Sequence, residues 1–169
     1  MRVLGRAWVF GDSIDTDVLM PGAYMKLPAA ERARHCLESI APDFAASVQR
    51  GDVVVGGANF GMGSSREQAA EALLTLGVGA VLARSFARIF QRNCLNLGLP
   101  ALVCEDAGEI AQSAQLEVDV AEGWVRVQGG ARWPCRPLPD FLVRMVQSGG
   151  LIPHLQQAQR ARNGAQENA

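Results

Sequence analysis

Short apolar runs alternate with longer amphipathic segments along the first hundred residues. The apolar runs are rich in Val, Leu and Ala and predict buried strands at residues 3–10, 52–57, 80–83 and 101–104. Helical spacing predicts helices at residues 28–37, 42–48, 85–97 and 138–148, and a further helix of roughly ten residues that ends near Gly77. For the helix at 85–97, Ser85 is the expected N-cap and Gly98 the expected C-terminal stop.

The pattern changes in the last third of the chain. Residues 115–120 and 124–128 flank Glu122-Gly123 and predict a β-hairpin. From Gln156 the sequence is polar, so we expect residues 156–169 to form a flexible tail and residues 1–155 a single domain.

The order strand, helix, strand, helix, strand through the middle predicts a βαβαβ unit. The fold class is therefore α/β, with a largely parallel core and helices packed against it. Ligands of such sheets bind at the carboxyl ends of the strands. Residues 57–66 lie between a predicted strand end and a predicted helix start, which places them at that edge.

Composition places the chain among ordinary globular proteins. Its 169 residues are 49% hydrophobic and 20% charged, with a net charge of −1, which gives no sign of a nucleic-acid or membrane partner. No apolar run has the length of a membrane span and no signal-peptide pattern opens the chain, so a cytoplasmic protein is expected. The four cysteines contain no CxxC pair and only two histidines accompany them, so no metal site held by this chain alone is expected.

The segment GANFGMGSSREQAAEAL, which starts at Gly57, points to chemistry. A helix start exposes unpaired N–H groups and a partial positive charge. Ser64 or Ser65 suits the N-cap position, and Arg66 adds a fork of donors that fits a carboxylate or a phosphate. The segment therefore predicts an anion site. The alternative is an ordinary capped helix after a glycine turn, with Arg66 in solvent.

Nucleotide signatures are missing from this segment. GMGSSR lacks the third glycine of GxGxxG, and Gly63 is followed by Ser-Ser-Arg in place of the Lys-Ser or Lys-Thr of a phosphate-binding loop. A nucleotide is therefore disfavoured, and a small carboxylate remains as the expected ligand.

Three stretches carry a family resemblance: FGDSIDTDVLMPGAYM, GANFGMGSSREQAAEAL and ARSFARIFQRNCLNLGLP. In this order and spacing they resemble the swivelling domain of the aconitase superfamily, and more closely the stand-alone small subunits of 3-isopropylmalate dehydratases. The resemblance implies a β/β/α barrel-like domain with a central sheet. It also implies a large partner subunit, in a heterodimer or heterotetramer, that carries a [4Fe–4S] cluster on three cysteines, while this chain binds no cofactor.

The activity that the resemblance implies is that of a hydro-lyase subunit, which isomerises a hydroxy acid by dehydration and rehydration. Ser64 would act as the base, as an alkoxide, and Ser65 and Arg66 would bind a substrate carboxylate. Thr16 and Asp17 match the family's Thr-Asp pair, with Thr16 expected at the substrate and Asp17 in the catalytic network.

Simpler interpretations stay open for several of these charges. Asp17 is alternatively a loop carboxylate that caps a turn, and for Asp12 and Asp15 we prefer that interpretation. For Arg84 and Arg88 we favour structural ion pairs or contacts with the large subunit over a role at the substrate.

Substrate choice in the family depends on the residues after the first loop, here Tyr24, Met25, Lys26 and Leu27. Met25 and Leu27 offer apolar contact, while Lys26 would bind a further carboxylate, as in homoaconitase, or face solvent or the partner. Isopropylmalate is expected first, which implies leucine biosynthesis; homoaconitate and methyl- or dimethyl-substituted malates are the alternatives. No residue securely matches the further substrate arginine of aconitase itself, so citrate is not expected.

A function of another class also stays open. The chain could be a non-catalytic carboxylate-binding or assembly module that has lost its large partner. The intact set Ser64, Ser65, Arg66 and Asp17 argues against such a loss.

Overall fold

The computed structural model describes residues 1–166. Its elements in chain order are β1 (Arg2–Val9), α1 (Thr16–Leu19), α2 (Ala29–Ala33), α3 (Phe44–Ser47), β2 (Val53–Gly56), α4 (Glu67–Thr75), β3 (Ala80–Ala83), α5 (Arg88–Leu97), β4 (Ala101–Val103), β5 (Gln115–Asp119), β6 (Trp124–Val127), β7 (Arg132–Pro134), α6 (Asp140–Gln147) and α7 (Leu151–Gln166), with short 3₁₀ helices at Gly22–Tyr24 and Glu105–Glu109.

Seven strands of the described chain form one mixed sheet in the order β4-β3-β2-β1-β5-β6-β7. Strands β1 to β4 are parallel, with Trp8 opposite Val54 and Val54 opposite Val81. Strand β5 pairs antiparallel with β1, and β6 and β7 continue the antiparallel half. The predicted α/β fold with a parallel core and a hairpin is therefore confirmed.

The central strands are buried on both faces because their alternate residues serve two different cores. Val54 packs on the helix side with Leu73 of α4 and Phe90 of α5. Val53 and Val55 point to the other face and pack with residues of β5 and β6. This explains why the sequence of β2 is a continuous apolar run without alternation.

The sheet curls until its two edge strands approach each other. The backbone N–H of Arg136, just after β7, donates to the carbonyl of Val103 at the end of β4 (2.6 Å). Cys104 and Cys135 lie buried at this seam, in the core that the curled sheet encloses. Curling of this kind produces the barrel-like domain that the resemblance implied.

The two helices that lead away from the predicted ligand edge have clear local causes. Helix α4 is built mostly from Ala, Leu, Glu and Gln, which are strong helix formers. Helix α5 ends at Gly98, which adopts the left-handed conformation and confirms the predicted stop. The predicted N-cap of α5 is wrong: Ala87 takes that position, and the Ser85 hydroxyl accepts a hydrogen bond from the N–H of Asn59 (2.8 Å).

Other elements differ from the prediction. The one-turn helix α1 lies in the stretch after β1, for which no helix was predicted. Helix α2 ends at Ala33, although the helix was expected to continue to residue 37. Strand β7 was not predicted. Helix α7 continues to Gln166, where a flexible tail was expected from Gln156; residues 167–169 lie outside the described residues. None of the described helices combines the length and apolar character that a bilayer-spanning helix requires.

Candidate active site

Loops from three parallel strands meet at the carboxyl edge of the sheet. The loop after β2 binds the loop after β1, where Gly61 N–H donates to the Ile14 carbonyl (2.7 Å). It also binds the loop after β3, where Phe60 N–H donates to the Ser85 carbonyl (2.9 Å). The backbone of residues 57–66 is therefore held from two sides at the edge where ligands of parallel sheets bind.

Two aspartates of the first loop have structural contacts. A Cβ added to Gly57 would lie only 1.9 Å from the Asp12 carboxylate, which accepts the N–H of Ala58 at 2.6 Å. Asp15 accepts the N–H of Val18 at 2.7 Å and caps the short helix α1. Asp15 thus agrees with the capping interpretation, whereas Asp12 joins the loop after β1 to the loop after β2.

Thr16 holds the backbone of Ser64. Its hydroxyl donates to the Ser64 carbonyl (3.0 Å), and its N–H donates to the carbonyl of Met62 (2.8 Å). The residue is only 1% exposed. Thr16 therefore has a positioning contact with the backbone of Ser64, and its place at the substrate, which the resemblance implied, stays a prediction.

Ser64 and Ser65 present their side chains to solvent. Helix α4 begins at Glu67, and Arg66 occupies the N-cap position without a side-chain capping bond. The predicted capping role of either serine is therefore wrong. Both hydroxyls instead lie on an exposed turn next to the start of a helix, where the partial positive charge of the helix favours an anion.

Arg66 and Asp17, which come from different loops, form an ion pair. Arg66 Nη1 donates to the Asp17 carboxylate and to the carbonyl of Met20 (3.2 Å). The Arg66 side chain is 21% exposed and that of Asp17 is 62% exposed. Gly22 lies beside the pair. A Cβ at this position would be in van der Waals contact with Arg66 Nη2 (3.7 Å), so glycine leaves this space unfilled. The carboxylate of Asp17 therefore orients the guanidinium, and its alternative interpretation as a turn cap does not match this contact.

Residues 24–27, the specificity loop that the resemblance links to substrate choice, follow α1 and overlap the end of the 3₁₀ helix Gly22–Tyr24. Tyr24 stacks on His35 with ring centroids 3.6 Å apart, and Met25 packs against the helix-side core. Lys26 is exposed and forms no ion pair with any described residue. Its ammonium group is thus available to a ligand, a partner or solvent.

Electrostatic contacts surround Tyr24. The hydrogen bond and the charge of Glu38 raise the pKa of the Tyr24 hydroxyl above its ordinary value. His35 Nδ1 lies 2.7 Å from Glu38 Oε2, and this hydrogen bond lowers the pKa of Glu38. Tyr24 is therefore a neutral side chain held in place by its neighbours, which makes it unsuited to act as a base near neutral pH.

Arg32, to which the sequence gave no functional role, also belongs to this region. It is buried and binds the carbonyls of Met25 and Leu27 and the carboxylate of Glu71. A signal was present in the sequence, since Arg32 precedes Ala33 and lies four residues before Cys36, on the apolar face of its segment.

Arg84 and Arg88 follow β3 and are not paired with a carboxylate in the described chain. Arg84 and Arg88 are exposed and form no ion pair with any residue between 1 and 166, so the expected structural ion pairs are not found. In the same range, no three His, Cys, Asp or Glu side chains are grouped so that they could hold a metal ion. All four cysteines are buried free thiols.

Comparison with known families gives the class to which this fold and loop cluster belong. Residues 37–107 match the family described as the aconitase C-terminal domain. The crystal structure of 3-isopropylmalate dehydratase from Methanocaldococcus jannaschii superposes with a TM-score of 0.92 at 36% identity, over 98% of this chain and 99% of that one.

Curated relatives narrow the class. The chain is 48% identical to 3-isopropylmalate dehydratase small subunit 1 of Methanopyrus kandleri, over 89% of this chain and 90% of the relative. It is 41% identical to the methanogen homoaconitase small subunit of Methanothermobacter thermautotrophicus, over 90% and 89% of the two chains. The chain therefore belongs to the aconitase family, in the branch of the 3-isopropylmalate dehydratase small subunits. The resemblance inferred from the sequence is confirmed.

Proposed function

We propose that this chain is the small subunit of 3-isopropylmalate dehydratase, a heteromeric hydro-lyase of leucine biosynthesis. The observation that carries the proposal is the exposed pair Ser64 and Ser65 beside the Arg66–Asp17 ion pair, at the carboxyl edge of the parallel strands. These side chains offer a proton acceptor and a carboxylate-binding fork within one turn of chain. The names of the relatives support the choice of reaction.

Ser64 is proposed as the base that removes the proton next to a substrate carboxylate. A serine hydroxyl is a weak base in water, so its alkoxide must be stabilised by nearby donors. Charge-assisted hydrogen bonds contribute about 1.5–3 kcal/mol each, so several are needed. The start of α4 and Arg66 supply such donors, and exclusion of water by a second chain would strengthen them.

Ser65 and Arg66 are proposed to bind a substrate carboxylate. Among the described residues, Asp17 and Met20 accept hydrogen bonds from Nη1 of Arg66, so we assign Nη2 to the substrate carboxylate. We assign Thr16 a positioning role, because its hydroxyl holds the carbonyl of Ser64. Asp17 keeps Arg66 oriented and so belongs to the same network.

A large subunit is proposed to complete this site. Ser64 and Ser65 lie in solvent, and the described part of this chain offers no grouping of ligands for a metal. A [4Fe–4S] cluster on the large subunit would supply the Lewis acid to which the substrate hydroxyl departs. Buried free thiols such as Cys36 and Cys94 agree with a reducing compartment, and we propose the cytoplasm.

Isopropylmalate is the proposed substrate, with Met25 and Leu27 on the loop that would face its alkyl group. A second candidate, homoaconitate, is favoured by the exposed and unpaired Lys26, which suits a further carboxylate. Methyl- and dimethyl-substituted malates are smaller alternatives for the same loop.

The base is tested by Ser64→Ala in the complex assembled with the large subunit and reconstituted anaerobically. We expect kcat to fall by about 10²–10⁴-fold, the usual contribution of a positioned base, while the two subunits still copurify. Ser47→Ala is the matched control, because Ser47 is an exposed serine at the end of α3. Near-normal turnover by Ser64→Ala would exclude Ser64 as the base.

The substrate is tested with a panel of isopropylmalate, homoaconitate, citramalate and dimethylmalate on the wild-type complex. Isopropylmalate should give the highest kcat/KM. A higher value for homoaconitate would transfer the assignment to the second candidate. Stable binding of a carboxylate without turnover of any acid, in a complex with an intact cluster, would favour the non-catalytic binding module.

A further inference from the structure

Arg32 is a nearly buried cation with three acceptors around it. The residue is 9% exposed. Its Nη1 donates to the carbonyls of Leu27 (3.0 Å) and Met25 (3.3 Å), and its Nη2 donates to the carboxylate of Glu71. A buried charge is costly unless it is paired and hydrogen-bonded, so these contacts define the place of the guanidinium.

The acceptors of Arg32 belong to two parts of the proposed site. Met25 and Leu27 flank Lys26 in the specificity loop. Glu71 lies on α4, which starts at Glu67, directly after the turn that carries Ser64 and Arg66. One rigid guanidinium therefore connects the backbone on both sides of Lys26 to the helix that follows the proposed base.

A second contact holds the other end of the loop. The ring of Tyr24 stacks on His35, and His35 is hydrogen-bonded to Glu38. Aromatic stacking fixes the start of the loop, whereas Arg32 fixes its second half. Without Arg32, the carbonyls of Met25 and Leu27 would lose their side-chain donor, and the loop would keep the stacking of Tyr24 and the core packing of Met25.

We propose that Arg32 is a positioning residue that determines substrate discrimination by setting the distance between the specificity loop and the turn at residues 64–66. This inference rests on the proposed function. We assign Arg32 a positioning role because it is only 9% exposed and three of its five N–H donors are used by the loop carbonyls and by Glu71. It acts through the placement of Met25, Lys26 and Leu27, which decide whether an alkyl group or a further carboxylate fits.

The kinetic test uses Arg32→Met in the assembled complex, with isopropylmalate and homoaconitate as competing acids. The ratio of kcat/KM for isopropylmalate to kcat/KM for homoaconitate should fall by about tenfold, mainly through KM. The kcat for dimethylmalate should stay within about twofold, because a small displacement of a binding residue mostly affects the substrate group that this residue contacts. Arg32→Lys should give an intermediate ratio, since one ammonium cannot replace the fork. Arg34→Met is the control, because Arg34 is an exposed arginine of the same segment.

A readout without turnover separates this inference from the proposed function. Hydrogen exchange of the isolated chain should become faster at residues 25–27 in Arg32→Met and stay unchanged in the strand Ala80–Ala83. Unchanged protection of the loop, an unchanged substrate ratio, or an equal loss for all acids would overturn the role of Arg32. If Arg32→Met does not fold, Arg32→Lys and Glu71→Gln are judged by the same criteria. Failure of the wild-type complex to turn over any acid would overturn the proposed function alone.

Discussion

Asp52 shows at the residue scale how a buried carboxylate is kept ionised. It is 4% exposed and accepts hydrogen bonds from the Trp8 indole (2.9 Å) and from the backbone N–H groups of Arg6 and Gln49 (both 3.0 Å). Burial by itself raises the pKa of Asp52, but these hydrogen bonds and the charge of Arg6 outweigh it and hold the pKa below its ordinary value.

The lowered pKa leads to a prediction about acid stability. An unfolded Asp titrates near a pKa of about 3.9, so the stabilisation from ionised Asp52 is complete above that pH and is lost as the pH falls through the folded pKa. Asp52→Ala should lower the free energy of unfolding by about 2–4 kcal/mol at pH 7, because several buried donors lose their acceptor. Asp52→Ala should also lose less additional stability than the wild type when the pH is lowered below 4.

Urea unfolding of the isolated chain at pH 7 and pH 3 measures both effects. Asp43→Ala is the control, because Asp43 is exposed and makes no capping hydrogen bond. If Asp52→Ala lost no more stability than Asp43→Ala at pH 7, the assignment of Asp52 as a buried structural anchor would be wrong.

At the scale of elements, the contact between the turn of residues 57–66 and α5 depends on one glycine. Gly61 has φ of +78°, and an added Cβ would lie 2.1 Å from Cγ of Phe90. Phe90 is fixed in turn by Phe60, with ring centroids 5.6 Å apart. A side chain at position 61 is therefore opposed both by the backbone conformation and by a packed aromatic ring.

Gly61→Ala should lower the free energy of unfolding by about 2–4 kcal/mol and move the turn that carries Ser64. Gly108→Ala is a matched control, because a Cβ at Gly108 meets nothing within 4 Å. Thermal unfolding compares the two variants with the wild type. Equal stability of Gly61→Ala and Gly108→Ala would show that α5 can shift to accept the methyl group.

At the scale of the whole molecule, the four cysteines are divided between the two hydrophobic cores. Cys36 and Cys94 lie in the helix-side core, whereas Cys104 and Cys135 lie in the core inside the curled sheet. Burial raises the pKa of the Cys36 and Cys94 thiols above the ordinary value. Both conditions slow alkylation, because the reacting species is an accessible thiolate.

Alkylation by iodoacetamide at pH 8 should therefore be slow at Cys36 and Cys94 in the native chain and fast in urea. Peptide mass spectrometry gives the rate at each cysteine, and the native rate should follow the opening of the helix layer as urea is raised. Native labelling of Cys36 and Cys94 as fast as in the unfolded chain would contradict the packing of this core.

Local causes account for the elements that the sequence predicted, and non-local contacts account for those that it did not. The strands β2, β3 and β4 and the stop of α5 at Gly98 were predicted because apolar runs and a left-handed glycine act over a few residues. Strand β7 was missed because its segment is only three residues long and ends in a proline, and it becomes a strand only by pairing with β6, for example Trp133 with Val125.

The proposed site divides in the same way. The sequence by itself determined the α/β class, and its motifs with the resemblance they carry led to Ser64, Ser65, Arg66 and Asp17 as the proposed site residues, since residue type and motif spacing are properties of the chain. Only the tertiary structure decided that Asp17 pairs with Arg66 and that Thr16 is buried against the Ser64 carbonyl. It also decided that Arg32 joins residues 25–27 to α4. The contacts Thr16–Ser64, Arg32–Glu71 and Asp17–Arg66 connect residues 39 to 49 positions apart, and they form because curling of the sheet and packing of the helices bring separate segments to one edge.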